Sequence, residues 1–125
     1  MTQPIANVVA YTAQHGGGTF EAGTYLPFAP EYGFAVALGG VKMAAQDATI
    51  EALARWLPRV ANEWNTSFVG TWLRDNILHV DAVVYIRDLT FALQVAREHR
   101  QLAIYDFATK ASITLAVADV EGTAS

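Results

Sequence analysis

The run Phe68-Val69-Gly70-Thr71-Trp72-Leu73-Arg74-Asp75-Asn76-Ile77-Leu78-His79-Val80-Asp81-Ala82-Val83-Val84-Tyr85-Ile86 decides how this chain is read. Two β-prone stretches, 68–73 and 77–86, flank Asp75-Asn76. Both turn residues tolerate the left-handed conformation that a two-residue hairpin connection requires. Side chains alternate across a strand, so placing the turn assigns both faces. Arg74 then lies opposite Ile77, Trp72 opposite His79, and Gly70 opposite Asp81. One face holds Val69, Thr71, Leu73, Leu78, Val80, Ala82, Val84 and Ile86, and reads as the core side. The other holds Phe68, Gly70, Trp72, Arg74, Ile77, His79, Asp81, Val83 and Tyr85. That mixture of aromatic, ionisable and apolar groups suits a contact surface. Ordinary cross-strand pairs on a solvated sheet face have the same composition, so the pattern alone does not separate the two. Trp72, Arg74, His79, Asp81 and Tyr85 are the candidate binding residues, with Gly70 leaving room above Asp81.

Helical periodicity flanks the hairpin on both sides. Ile50, Leu53, Leu57, Val60 and Trp64 share one helical face, with Asp47 as the expected N-cap. Pro58 falls inside that pattern and predicts a kink or a break into two short helices. A second helix is expected to start at the cap residue Asp88 and run through Leu89, Ala92, Leu93 and Ala96. It finishes with Arg97, His99 and Arg100, cations that suit the negative end of a helix dipole. Strands follow at 102–107 and 112–117 around a turn at Thr109-Lys110. The first 45 residues read as irregular: a β-prone stretch at 5–11, a glycine-rich loop at His15-Gly16-Gly17-Gly18, a short strand within 20–28, and a buried strand at 34–38 ended by Gly39-Gly40. The tail, 119–125, is small and polar and expected to fray. The predicted fold is one α+β domain over 1–125, a mostly antiparallel sheet of hairpins with two amphipathic helices on one face.

Composition narrows the function classes. Hydrophobic residues make up 53% and charged residues only 16%, enough apolar surface to fill a core and leave some over for self-association or a protein partner. A net charge of −4 with no basic run disfavours phosphate-driven nucleic-acid binding. The chain has no cysteine, which excludes disulfides and thiolate chemistry. No apolar run reaches the ~18 residues of a membrane span. The first residues lack the basic and apolar regions of a signal peptide, so a cytoplasmic setting is the expectation.

Chemical motifs are sparse. His79-Val80-Asp81 puts an imidazole and a carboxylate on one strand face, but a metal would need a further histidine from His15 or His99, and no metal or cofactor is expected. His15-Gly16-Gly17-Gly18 is similar to the oxyanion loop of lipase-like hydrolases, yet no G-x-S-x-G nucleophile turn accompanies it. No Lys-Ser or Lys-Thr follows it to make a phosphate cradle. It stands as a candidate loop site only, and no catalytic residue is assigned. Trp64 belongs to the helix stripe, whereas Trp56 lies off it, where it is placed to face a partner.

Gly70-Thr71-Trp72 leading into the hairpin and Leu78-His79-Val80-Asp81 carry a resemblance, together with 92–99 and Gln101-Leu102-Ala103-Ile104-Tyr105-Asp106-Phe107. Over residues 68–115 the chain resembles small proteins of actinobacteria and their phages. No activity is established for that family, so the resemblance implies a setting and transfers no functional residue. Ala108-Thr109-Lys110 stands where the family's last hairpin has a glycine. The leading expectation is a non-enzymatic protein–protein interaction or accessory protein, self-associating as a homo-oligomer and acting on a host or phage protein. The alternative is a small enzyme or small-molecule binder using the outer face of the 68–86 hairpin.

Overall fold

Ile5, Val8, Val9 and Thr12 recur at i, i+3, i+4 and i+7, and in the computed structural model, which describes residues 2–115, they line the inner face of a helix, α1 (Thr2–His15). This corrects the β-prone reading of residues 5–11. Their β-branched side chains suggest a strand, but the spacing of the buried positions is helical and burial decides. Pro4 sits in the first turn, where a missing N–H leaves no gap in the ladder. Gly16, at φ 81°, ends the helix in the left-handed region, and its N–H donates to the Thr12 carbonyl.

Gly17 and Gly18 are no loop; they begin β1 (Gly17–Glu21), which replaces the strand expected within 20–28. β1 pairs antiparallel with β3 (Phe68–Arg74). β3 pairs with β4 (Ile77–Ile86) in the register read from the turn: Arg74 with Ile77, Trp72 with His79, Gly70 with Asp81. Asp75 and Asn76 both have positive φ, as the two-residue connection demands. β2 (Phe34–Ala44) does not stop at Gly39 but runs through both glycines. Trp64 explains the first of them, because its ring occupies the space a Cβ on Gly39 would need.

The helix after β2, α2 (Ile50–Trp64), is capped by Thr49, whose hydroxyl accepts from the Ala52 N–H at 3.1 Å. Asp47, the expected cap, lies too early, in a short 3-10 turn at Ala45–Asp47. Nor does Pro58 split the helix. Both Pro58 and Ala54, whose carbonyl loses its partner, are exposed, so the freed group lies on the solvent side and is not buried unsatisfied. Downstream, α3 (Leu89–Glu98) starts at Asp88, whose carboxylate accepts from the Phe91 N–H at 2.8 Å. It ends one residue before His99, earlier than expected. β5 (Ala103–Asp106) and β6 (Ala111–Thr114) close the described chain, with Lys110 taking the positive φ that a glycine would otherwise supply. The expected end of the last strand and the expected frayed tail fall partly or wholly outside the described residues.

The strand order is β1-β3-β4-β2-β5-β6, and the α+β antiparallel class stands, with a third helix added. The chain forms two compact units. The first comprises residues up to Phe28 with Gly39–Val83, and its core joins Ile5 and Val8 of α1, Phe20 of β1, Leu53, Leu57 and Val60 of α2, and Val69, Leu78 and Val80 of the hairpin. The second comprises Ala29–Leu38 and the described residues from Val84 on, with Val36, Ala92, Ala96, Ile104 and Leu115 at its centre. Ala92 and Ala96 let α3 approach its strands closely.

One polar contact lies inside the first core. Thr12 of α1 and Thr71 of β3, both buried, share a hydroxyl hydrogen bond of 2.6 Å. Thr71→Val keeps the shape and removes the partner, so the Thr12 hydroxyl loses its link to the sheet. A loss of about 1–2 kcal/mol in urea unfolding is expected; an unchanged midpoint would show the bond to be energetically idle.

Candidate functional site

The hairpin's core face behaves largely as its parity requires. Val69, Thr71, Leu78, Val80 and Ala82 are buried, although Leu73 near the turn is 38% exposed. On the outer face the two ends differ. Phe68 and Val83 are paired in register and covered, with the Phe28 ring 4.4 Å from that of Phe68. Residues 25–28 fold back to reach this position, hydrogen-bonding to β1 through Glu21 and Thr19. Toward the turn nothing covers the face among the described residues of this unit, and Trp72, Arg74 and Ile77 are exposed.

There the side chains stack. Trp72 and His79, opposite each other across the strands, have ring centroids 5.4 Å apart. The Arg74 guanidinium lies over the Trp72 ring at 5.2 Å, a cation–π contact. Arg74 also approaches Asp75 at 3.8 Å, but both side chains are mostly exposed and such a pair holds little. Residues 42–44 of β2 complete an open groove of about 480 Å³, lined by the cations Lys42 and Arg74, the Asp75 carboxylate, the His79 imidazole and the apolar Ile77, while the Met43 side chain packs against the first core. Burial, then Lys42, then Arg74 lower the His79 pKa, because each disfavours a further positive charge.

Asp81, two residues along the same face, is half-buried, and burial pushes its carboxyl up to about 6. The strands beside it explain this position. Gly70 pairs with Asp81 on β3, and on β2 a Cβ at Gly40 would come within 2.8 Å of Asp81 Oδ1. The space above Gly70 is not left open; Val83 Cγ2 fills it, 2.8 Å from where a Cβ would stand.

Of the residues singled out from the sequence, Trp72, Arg74 and His79 come together, and Asp81 follows on the same strand face. Tyr85 belongs to the second unit, where its hydroxyl donates to the Tyr32 carbonyl and its ring packs edge-on against Phe107. The glycine segment has structural duties. His15 lies exposed on the last turn of α1 with its ring 4.3 Å from Tyr11. A Cβ on Gly17 would meet the Thr71 carbonyl at 2.5 Å, and one on Gly18 the Tyr11 ring at 2.8 Å. With Gly17 and Gly18 built into the β1–β3 ladder, the segment is no oxyanion loop. Lys42 escapes the sequence reading because that reading ends the strand at residue 38, before it.

Among the described residues no group of three His, Asp or Glu side chains is placed to hold a metal. No helix among them is long and apolar enough to cross a membrane. Comparison with protein-family models, curated proteins and solved structures finds no match.

Proposed function

We propose that this protein is a non-enzymatic interaction module that engages a protein partner through the turn end of the β3–β4 hairpin and residues 42–44 of β2. The observation that carries the reading is the exposed stack of Arg74, Trp72 and His79 beside an open, partly apolar groove. Tryptophan and arginine are the residues whose burial contributes most to protein interfaces. Low charge and high apolar content support self-association as a companion property. The likeness of residues 68–115 to proteins of actinobacteria and their phages supports an accessory role on a host or phage protein.

The test is paired affinity capture from an actinobacterial lysate, using the native chain and a Trp72→Ala/Arg74→Ser variant, with light scattering of both. The substituted side chains are exposed, so the fold is expected to persist. At least one protein, or a second copy of the chain, should be held by the native surface and lost by the variant. A strictly monomeric native chain with identical capture profiles overturns the reading. A second reading, a small-molecule binder or acid–base enzyme on the same face, draws on Asp81, whose carboxyl burial pushes up to about 6. A metabolite that raises the melting temperature of the native chain but not of Asp81→Asn would favour it.

A further inference from the structure

We propose that the groove beside the β3–β4 turn takes an acidic, partly apolar segment of a partner protein, its carboxylates seated between Lys42 and Arg74, beside His79, and its apolar side chains on Ile77. This rests on the reading of the hairpin face as an interaction surface and adds the chemistry of the partner.

The case is one of charge complementarity. The chain carries a net charge of −4, yet two of its eight Lys and Arg residues line one groove with a histidine against a single carboxylate, Asp75. Lys42 and Arg74 both weigh against a charge on His79, and a carboxylate placed beside them relieves that opposition while a further cation adds to it. The arginine is already stacked on Trp72, so its planar fork is oriented before a carboxylate arrives. Its present partner, Asp75, is exposed and loosely paired, so an incoming carboxylate can replace it. Ile77, exposed on the groove, provides the apolar contact that a free anion would not use.

The same geometry makes binding depend on pH. The charged and titratable groups around His79 are Lys42 from β2, Arg74 and Asp75 from the end of β3 and its turn, and Asp81 from β4 itself. As pH falls toward about 6, Asp81 loses its negative charge. A bound carboxylate also draws a proton onto His79, whose charge Lys42 and Arg74 otherwise oppose. Both changes strengthen the grip on an acidic segment. Affinity should be roughly three- to tenfold higher at about pH 5.5 than at about pH 7.5, and should weaken with salt.

The experiment uses the isotopically labelled full chain in NMR titrations with peptides of about twelve residues that alternate glutamate and leucine. Glutamine–leucine and lysine–leucine counterparts and an oligothymidylate of the same length are run beside it. The glutamate peptide should shift the amides of Lys42, Arg74, Ile77 and His79, more tightly at the lower pH. A Lys42→Glu/Arg74→Glu chain with unchanged melting temperature should bind it at least about tenfold more weakly. Equal or tighter binding of the glutamine or lysine peptide at these amides overturns the acidic class and leaves the interaction surface standing. Tighter binding of the oligothymidylate overturns it in favour of nucleic acid. If no probe shifts these amides while capture still depends on Trp72 and Arg74, the acidic segment is wrong and the surface is right. If capture is also independent of them, both fall.

Discussion

Gly40→Val is expected to remove a large share of the chain's stability. Gly40 is exposed, and by exposure alone it would tolerate a side chain. The backbone of β4 forbids one. A Cβ there collides with the Val80 carbonyl oxygen and comes within 2.7 Å of the Asp81 Cα. Those atoms belong to a strand whose next positions pack the first core, so the clash cannot be relieved by turning a side chain. Overpacking of this kind costs about 3 kcal/mol or more, a large share of the 5–15 kcal/mol typical of a domain. Gly39→Ala is the internal comparison, because the obstacle there is the Trp64 side chain, 38% exposed, rather than backbone. A loss nearer 1 kcal/mol is expected for it. Urea unfolding of both variants checks the pair, and equal midpoints would mean that β2 does not pass β4 as described.

Asp81→Asn should stabilise the protein near neutral pH and do little in acid. The Asp81 carboxyl is raised from an ordinary 3.8 to about 6 by burial, so the folded state prefers it protonated. Its contribution to stability is therefore full below about 3.8 and is lost as pH rises through about 6. Asparagine carries no charge to bury, and the gain at pH 8 is on the order of 2 kcal/mol. That gain should shrink between pH 6 and pH 4 and be close to zero below. His79 works in the opposite sense. Its pKa is lowered in the fold, so its contribution is present above about 6.5 and lost as pH falls through the folded value. Only the difference between native and variant chains isolates Asp81. Unfolding midpoints from pH 4 to pH 8 supply it, and a difference that is flat or of the wrong sign would place Asp81 in solvent.

The hairpin was legible because two signals agreed: a turn pair able to take positive φ, and parity on either side of it. Its register followed directly, as did the cap at Asp88 and the small residues of α3. The first 45 residues misled for physical reasons. Ile5, Val8 and Val9 are β-branched, yet the helix spacing of the buried set outweighs their propensity. Gly17, Gly18, Gly39 and Gly40 look like breaks in a sequence, where their neighbours are invisible. In the fold they are places where Tyr11, Thr71, Trp64 and Val80 come too close for a Cβ. The same misreading hid Lys42, since a strand that ends at residue 38 never reaches the groove. Parity grouped Tyr85 with the candidate site, but it cannot see that β4 passes from the first unit into the second, where Tyr32 and Phe107 engage that ring.

The central claim is that the turn end of the hairpin's outer face meets another protein. Photo-crosslinking in living cells tests it most directly, with a benzophenone amino acid placed at Ile77, on the groove, or at Arg55, exposed on α2 of the same unit. A discrete adduct from position 77, absent from position 55 and lost when Trp72 and Arg74 are also replaced, is the predicted result. Adducts of equal yield at both positions, or none from position 77, would contradict the account.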